Sequence, residues 1–318
     1  LQTLQLVVDA ADRPSLVSFW QTVLAYEPVG ADGLGDPSRR DPVLSFHESR
    51  PRMPRDRIHV DVVRAPDAVE AAKAALGREP FGVFGFTLAD ADGNEVDLVP
   101  GGTLSDGPET ADWRVLFGAM TFYPVSSPVR AGELVSAIAA LADDAGLPLM
   151  VDLRPDGVTI DSGKDQWEDE DGSAIKGFVD LAGRIQTAAR DRGLSADATP
   201  LRFVQLGIDA ADIPAVRAFW TSLLGYRHDP RTFVTDIYDP RRLNPVLFFQ
   251  PLDPSETERR QHRNRIHVEL FVPYDQMHAR IEAAVAAGGR IVAEPASDRR
   301  TLVDPEGNEA DIVAFQQA

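Results

Sequence analysis

The sequence predicts an α+β protein of three domains, in which two copies of one domain flank a different, smaller one. The first observation is a repeat, because nine residues between 8 and 28 recur between 208 and 228. The second is that each copy alternates strand-like and helix-like patterns. The third is a change of composition between the copies, where Gly, Pro, Ser and Asp predict an exposed linker at Pro100–Pro108. These observations predict domains at 1–100, 108–199 and 200–318.

The repeat continues through three further blocks in the same order. PVL at 42–44 recurs at 245–247, and RIHVD at 57–61 recurs as RIHVE at 265–269. DADGNEVDL at 90–98 recurs as DPEGNEADI at 304–312. Matched blocks in one order indicate a duplicated domain of about 100 residues, typical of a single folding unit.

Each copy is predicted to contain two βαβββ-like halves. In the first half, apolar residues alternate with polar ones along a strand near Leu4–Val8. Asp12 then suits a helix N-cap and Pro14 the first helical turn. The remaining predicted elements are a strand near Pro42–Phe46, a strand at His59–Val63, a helix at Ala65–Leu76 and closing strands that end at Val96–Val99.

The middle segment is predicted to be a separate small α+β domain. The predicted elements are strand Leu116–Tyr123, helix Ala131–Asp144, strands Met150–Leu153 and Gly157–Asp161, and helix Ala174–Arg192. Pro155, Asp156 and Gly157 have the turn chemistry of a hairpin. The acidic run Asp165–Gly172 is expected to be a solvated loop.

Composition and charge exclude several classes of function. The 318 residues include 50 Asp and Glu against 32 Lys and Arg, a net charge of −18, which disfavours nucleic acid and anionic membrane surfaces as partners. The absence of cysteine excludes disulfides, thiolate nucleophiles and cysteine-ligated metals. No apolar run approaches the length of a membrane span. The chain begins at Leu1 rather than Met, so we expect a trimmed or processed chain, which leaves a removed signal peptide open. The composition as a whole favours a soluble, cytoplasmic protein.

Both copies resemble the vicinal-oxygen-chelate superfamily, in its glyoxalase-like and bleomycin-resistance-like branch. The second copy carries the features most fully, and they are Asp212, Pro214, Phe219, Trp220, Leu224, Gly225, Tyr226, the run Ile266-His267-Val268 and the run Asp304 to Glu309. The resemblance covers about two thirds of the chain. It implies paired βαβββ modules that form a curled mixed sheet, a fold that supports many different chemistries.

The resemblance also implies positions for metal ligands on the concave face of each sheet. The first strand places one at Gln5 and Gln205, and the strand that opens the second half places another at His59 and His267. The closing strand places Asp97 and Asp311 where the superfamily usually has Glu. A further ligand is expected near Phe46–Glu48, from His47 or Glu48, and at Gln250 in the second copy.

The residue types agree with a divalent metal but also with simpler roles. Strand alternation puts His59 and Asp61 on one face, and Gln, His and Asp donors suit Zn, Mn, Fe, Co or Ni. Alternatively, the acidic residues cover a solvated sheet face and His59 is a structural histidine. Trp20 and Trp220 follow helical apolar stripes, which predicts core packing, and His228, His262 and His278 are expected at the surface. No phosphate-loop pattern occurs, so no nucleotide cofactor is expected.

The middle segment resembles a pterin-4a-carbinolamine dehydratase domain from a high-GC bacterium. The resemblance rests on Trp113–Met120, Leu134–Asp143, Val151–Ile160 and Leu181–Leu194. The family's activity depends on a His-His-Pro motif, where this chain has Leu147, Pro148 and Leu149, and residues 108–199 contain no histidine. Because the proton transfers need a group that titrates near neutral pH, we expect an inactive domain with a structural or dimerisation role.

Three functional hypotheses follow for the whole chain. The first is a divalent-metal-assisted lyase, isomerase or dioxygenase that acts on a small molecule, with the ion held by Gln5, His59 and Asp97 or by Gln205, His267 and Asp311. The second is a metal-free protein of the resistance type that sequesters a small molecule. The third is an assembly or regulatory module that dimerises through the middle domain. The terminal copies are expected to pair with each other within the chain or across a homodimer.

Overall fold

The computed structural model describes residues 2–48, 56–170 and 172–315. The chain divides into two compact units. One contains Leu1–Val62, Ala75–Asp97 and Val204–Ala318, and the other contains Val63–Ala74 and Leu98–Phe203. Because the first unit takes residues from both ends of the chain, the two copies of the repeat fold together. Nothing tests the predicted boundaries of three sequential domains, which stay a prediction.

The first copy has the predicted alternation of strands and helices. Its elements are β1 (Thr3–Ala10), α1 (Arg13–Leu24), β2 (Glu27–Val29), β3 (Gly33–Gly35), β4 (Leu44–Glu48), β5 (Ile58–Arg64), α2 (Pro66–Leu76), β6 (Thr87–Ala89) and β7 (Glu95–Pro100). Helix α1 begins after Asp12, with proline in its first turn, and ends where Ala25 adopts a left-handed conformation with φ of 52°. Proline suits the first turn because its missing N–H has no intrahelical acceptor there.

The middle segment forms one antiparallel sheet covered by two helices. Its elements are β8 (Gly102–Thr103), a 3₁₀ turn (Pro108–Thr110), β9 (Arg114–Leu116), β10 (Gly118–Pro124), α3 (Pro128–Ala145), β11 (Met150–Arg154), β12 (Gly157–Lys164) and α4 (Lys176–Arg190). Phe178, Leu181 and Ile185 line the buried face of α4, as the helical apolar stripe predicts. The hairpin at Asp156 is confirmed by the pairing of Arg154 with Gly157.

The second copy repeats the order of the first with two changes. Its elements are β13 (Arg202–Ala210), α5 (Ile213–Leu224), β14 (Arg227–His228), β15 (Ile237–Tyr238), β16 (Val246–Pro251), α6 (Thr257–Gln261), β17 (Ile266–Pro273), α7 (Tyr274–Ala286), β18 (Arg290–Ala296), β19 (Arg299–Val303) and β20 (Glu309–Phe315). The short helix α6 and the long strand β18 have no counterpart in the described part of the first copy. None of the described helices is long and apolar enough to cross a membrane.

Two large mixed sheets are each built from both copies. The eight-stranded sheet has the order β18-β19-β20-β17-β1-β4-β3-β2, and the seven-stranded sheet has the order β14-β15-β16-β13-β5-β7-β6. In the eight-stranded sheet β1 pairs antiparallel with β17 and parallel with β4. Each sheet therefore joins the first half of one copy to the second half of the other. The expected pairing of the terminal copies occurs within the chain.

A buried tryptophan anchors the first helix of each copy to a β-turn. The Trp20 indole donates to the Asp90 carboxylate at 2.9 Å, and Trp220 donates to Asp304 at 3.1 Å. Both tryptophans are fully buried, which confirms that they belong to the core. Burial raises the pKa of Asp90 and of Asp304, although hydrogen bonds from neighbouring amides lower both. The DADGN and DPEGN turns thus serve as anchors for the helices.

Two arginines link the copies reciprocally next to these turns. Arg57 donates through Nε to the Asn308 side chain at 2.9 Å, and Arg265 donates to Asn94 at 2.8 Å. Both guanidinium groups are buried, so each depends on acceptors from the other copy. The start of β5 is therefore bonded to the last turn of the second copy, and the start of β17 to the last turn of the first.

Candidate metal centre

Three potential metal ligands meet on the seven-stranded sheet. His59 and Asp61 lie two residues apart on β5, and Asp97 lies on the adjacent strand β7. One ligand atom from each lies within 4.8 Å of the others, the only such group of three among the described residues. His59 Nε2 is 3.5 Å from Asp61 Oδ1, and both residues are less than a tenth exposed. Their burial contradicts the interpretation of this region as a solvated sheet face.

Two glutamines of the second copy complete this cluster. Gln205 on β13 donates through Nε2 to Asp61 Oδ2 at 2.9 Å, and the Gln250 amide nitrogen lies 3.5 Å from His59 Nε2. Within the described part of the chain, Gln205 Oε1 has no hydrogen-bond partner although the residue is only 3% exposed. A buried amide oxygen without a donor is costly, and a cation in the cluster would supply its partner.

A glycine opposite His59 makes room for the imidazole. A Cβ atom at Gly207 would overlap His59 Cε1 and Nε2. The ring also packs edge-on against Phe248, with centroids 5.6 Å apart. His59 is thus fixed between a bare segment of backbone and an aromatic ring.

The donor set suits a divalent transition metal. It combines one imidazole, two carboxylates and an amide oxygen, a set that Zn, Mn, Fe, Co or Ni can accept. His59 Nδ1 has no hydrogen-bond partner among the residues that the structure describes, so the imidazole is not committed to a structural hydrogen bond there. The residues present therefore fit the group that the sequence predicts.

The matching positions on the eight-stranded sheet are arranged differently. Gln5 on β1 pairs with Glu269 on β17, and Glu269 pairs with Asp311 on β20. His267 Nε2 is 4.0 Å from Asp311 Oδ2, and burial lowers the pKa of His267, although the Asp311 charge opposes this. Arg299 lies between the acidic residues. It contacts Glu269 at 2.6 Å and Asp311 at 2.5 Å.

The Arg299 guanidinium is held strongly in this position. Burial lowers the pKa of Arg299, but hydrogen bonds and the charges of Asp311 and Glu269 outweigh burial and raise the pKa above its usual value. The Thr301 hydroxyl adds a hydrogen bond to the other Asp311 oxygen at 2.5 Å. The acidic pair on this sheet therefore has a counter-charge that the protein itself supplies.

Further acidic residues on both sheets also have arginine partners. Arg263 bonds to Asp9 and to Glu309, and Arg259 bonds to Asp209. The Arg259–Asp209 pair is buried on both sides, whereas the Arg263 side chain is 36% exposed. Part of the negative charge at matched positions of the two copies is thus balanced locally.

The structure groups the predicted ligands across the copies. Gln5 lies with His267 and Asp311 on one sheet, whereas Gln205 lies with His59 and Asp97 on the other. The grouping by copy, which combined Gln5 with His59 and Asp97, is therefore corrected. The physical reason is that β1 pairs with β17, and β13 neighbours β5, so each first strand meets the second half of the other copy.

The positions predicted for a fourth ligand differ between the copies. Glu48 is exposed at the end of β4, whereas the His47 ring lies 6.3 Å from the His267 ring. His47 is exposed as well, but its ring approaches a residue of the matched cluster. Gln250 does reach His59, as described above. His262 also differs from the prediction, since its side chain is 8% exposed beside Asp56.

Sequence reasoning missed three residues that shape the clusters. Asp61 was placed on the correct face by strand alternation but was not predicted as a ligand. Arg299 and Gly207 were not identified at all. Aligning the copies shows both signals, because Arg299 corresponds to Gly85 and Gly207 corresponds to Val7.

A protein family and several solved structures are similar to this chain. A family model described as a glyoxalase-like domain matches residues 5–99 and 205–313. A glyoxalase I mutant from Zea mays aligns over 98% of this chain and 94% of its own, at 13% identity and a TM-score of 0.48. A glyoxalase/bleomycin resistance protein from Albidiferax ferrireducens T118 aligns over 34% of this chain and 94% of its own, at 17% identity and a TM-score of 0.26. No curated protein sequence matches this chain.

The family model covers both copies of the repeat, and its two matches together exceed half of the chain. The matched segments contain every residue of the two polar clusters. The resemblance of residues 108–199 to a dehydratase is not tested by these findings and stays a prediction. The chain belongs to the family of proteins with glyoxalase-like domains.

Proposed function

We propose that this protein is a small-molecule enzyme of the metal-assisted lyase, isomerase or dioxygenase type, with one centre on the seven-stranded sheet. The observation that carries the proposal is the convergence of His59, Asp61 and Asp97 within 4.8 Å. Gln205 adds a buried amide oxygen that lacks a partner among the described residues. Clustered buried carboxylates repel one another unless a cation or a proton compensates them.

The chain's own residues would position the ion and the substrate. His59, Asp61 and Asp97 would hold the ion, and the Gln205 amide would turn its oxygen toward it. A bound divalent ion would polarise a carbonyl or enolate oxygen and stabilise the negative charge that develops there. Gln250, whose amide lies 3.5 Å from His59, is placed to orient the imidazole or to donate to a bound oxygen. The edge-on contact with Phe248 would restrict rotation of the His59 imidazole.

The experiment that tests this proposal measures zinc binding rather than enzymatic activity. Purified protein is stripped with a chelator, dialysed against Zn²⁺ and assayed by elemental analysis, with His59→Ala and Asp97→Asn as variants. We expect both variants to weaken zinc binding by about 100-fold or more, because loss of outer partners alone costs roughly 10–100-fold. The matched control is His278→Ala, which removes an 85% exposed imidazole and should leave this centre intact.

Two results would contradict the proposal. Wild-type protein that retains no zinc after repletion would favour metal-free sequestration of a small molecule instead. Zinc binding that His59→Ala and Asp97→Asn leave unchanged would place the ion elsewhere in the chain.

A further inference from the structure

The two large sheets carry matched clusters, and the strand register identifies their counterparts. Thr87 pairs with Asp97 on one sheet, and Thr301 pairs with Asp311 on the other. The residue two positions before each threonine is Gly85 in the first copy and Arg299 in the second. Arg299 is the first residue of β19, whereas Gly85 lies in the turn before β6, so the first copy has no side chain at the sequence position of Arg299.

Arg299 lies where a cation would be expected on the eight-stranded sheet. Its two terminal nitrogens contact Glu269 Oε1 at 2.6 Å and Asp311 Oδ2 at 2.5 Å. Glu269 and Asp311 are the counterparts of Asp61 and Asp97, and both are more than nine-tenths buried. The guanidinium thus joins the same pair of acidic positions that a divalent ion would join.

The seven-stranded sheet lacks this side chain at the matched position. Gly85 contributes no side chain, and the Asp97 carboxylate has no hydrogen-bond or ion-pair partner within the described ranges. A second difference between the two clusters also favours a metal ion on the seven-stranded sheet. His59 lies against Gly207, whereas the counterpart His267 lies opposite Val7, whose side chain is fully buried.

We propose that Arg299 takes the place of a metal ion on the eight-stranded sheet, so that the two matched clusters differ in their cation. This inference rests on the proposed function, because it assigns the ion to the cluster without an internal guanidinium. Two buried carboxylates require a counter-charge, and one that is covalently part of the chain needs no ion from solution. A metal ion could enter this cluster only by displacing a guanidinium that two carboxylates hold.

Removal of Arg299 should convert the eight-stranded cluster into a metal site. The remaining groups would be Glu269, Asp311 and His267, whose Nδ1 has no hydrogen-bond partner in the described part of the chain. They would offer two carboxylates and one imidazole, as the other sheet does, but with Val7 opposite His267 we expect this second ion to bind at least about tenfold more weakly. The loss of one positive charge between two buried carboxylates is the driving force for a divalent ion to bind.

The test counts Zn²⁺ ions bound per full-length chain by equilibrium dialysis and elemental analysis. All chains carry His278→Ala, because the exposed pair of His278 and Glu282, 3.1 Å apart, could itself hold zinc. We expect one ion in this background and two after Arg299→Ala. Arg300→Ala is the matched control, since Arg300 contacts only the exposed Glu294 among acidic side chains of the described residues, and it should leave one ion.

The reciprocal variant tests the inference without altering the eight-stranded sheet. Gly85→Arg introduces a guanidinium in the turn before β6, two residues from Thr87, which pairs with Asp97, and should reduce zinc binding from one ion to none. Gly85 has a φ of 68°, so any side chain is strained there, but its Cβ would meet no atom within 4 Å. Gly85→Ala carries the same strain without the charge and should retain one ion. If Arg299→Ala does not fold, the comparison of Gly85→Arg with Gly85→Ala still tests the inference.

The number of zinc ions bound per chain distinguishes failure of this inference from failure of the proposed function. Two ions in the starting background, or no gain in folded Arg299→Ala protein, would overturn the role of Arg299. Zinc retained by folded Gly85→Arg protein would also count against it. No ion in the starting background but one after Arg299→Ala would support the role of Arg299 and refute the metal centre at His59.

Discussion

The position of His59 depends on the absence of a side chain at Gly207. The imidazole occupies the space in which a Cβ atom would lie, and the Phe248 ring, which packs edge-on against the imidazole, reaches the same space. The matched position on β1 is Val7, which is fully buried opposite His267. One pair of residues, glycine and valine, thus distinguishes the two clusters as clearly as Arg299 does.

Gly207→Val should displace His59 and weaken zinc binding at the seven-stranded sheet by at least about tenfold. The added side chain overlaps the imidazole, and overpacking of this kind typically costs ~1–3 kcal/mol of unfolding free energy. The measurement is a zinc titration by calorimetry, alongside urea unfolding. Val7→Gly at the matched position should lower stability but leave this titration unchanged. Zinc affinity that Gly207→Val does not alter would show that His59 is not a ligand.

At the scale of elements, β5 and β17 are each preceded by a matched residue, and these two residues, Asp56 and Asn264, differ in charge. Asp56 Oδ1 accepts from the Arg265 backbone N–H at 3.1 Å, and its counterpart Asn264 accepts from the Arg57 N–H at 2.9 Å. Burial raises the pKa of Asp56 to about 6, although the charge of Arg265 opposes this. Each strand therefore uses a side-chain oxygen to bind the start of the other, but only one of the two oxygens titrates.

Asp56→Asn should remove a pH-dependent loss of stability. The Asp56 carboxyl prefers its protonated form in the folded state, so its contribution is fully present below its ordinary pKa of 3.8 and is lost as the pH rises through about 6. The wild type should therefore lose stability relative to Asp56→Asn between pH 4.5 and 7.5, by about 2 kcal/mol. Urea unfolding at both pH values measures this.

The control for Asp56 is Asp298→Asn, which alters an exposed carboxylate. Its unfolding midpoint should follow that of the wild type at both pH values. Parallel curves for wild type and Asp56→Asn would mean that the buried carboxylate does not titrate in this range.

The elements themselves were largely predictable, and the exceptions have local causes. The predicted strand Leu116–Tyr123 is divided into β9 and β10 because Phe117 adopts a φ of 61°, which a phenylalanine rarely does. The last helix of the middle segment was predicted from Ala174 to Arg192 but spans Lys176–Arg190. Sequence patterns place the centre of a helix well but its ends poorly, because the terminal residues depend on hydrogen bonds outside the helix.

At the scale of the whole molecule, the sequence identified the positions of the clusters but not their partners. Gln5 and Gln205 occupy equivalent strands with equivalent neighbours in sequence, so no local signal says which histidine each will face. That choice is made by long-range strand pairing, which local patterns do not encode. The repeat therefore predicted His59, Asp97 and Gln205 individually, whereas only the structure brings them together.

Separated copies should need each other to complete their sheets. We expect that 1–107 and 200–318, produced as two chains in one cell, co-purify through a tag on either one. The reason is that β1 without β17, and β13 without β5, would each leave an unpaired strand edge. Size-exclusion chromatography with light scattering gives the stoichiometry, expected to be one to one. Two independently folded monomers would contradict the shared sheets.

The sharing of both sheets also restricts how this gene can change. Deleting one copy of the repeat would not leave one intact cluster, because β1 would lose β17 while β5 would lose β13. The two remaining half-sheets would then need their missing halves from a second molecule. The two copies can diverge in residues such as Arg299 and Gly85, but a single chain that lost either copy would lose both clusters. The shared sheets thus make each copy of the repeat necessary to the other.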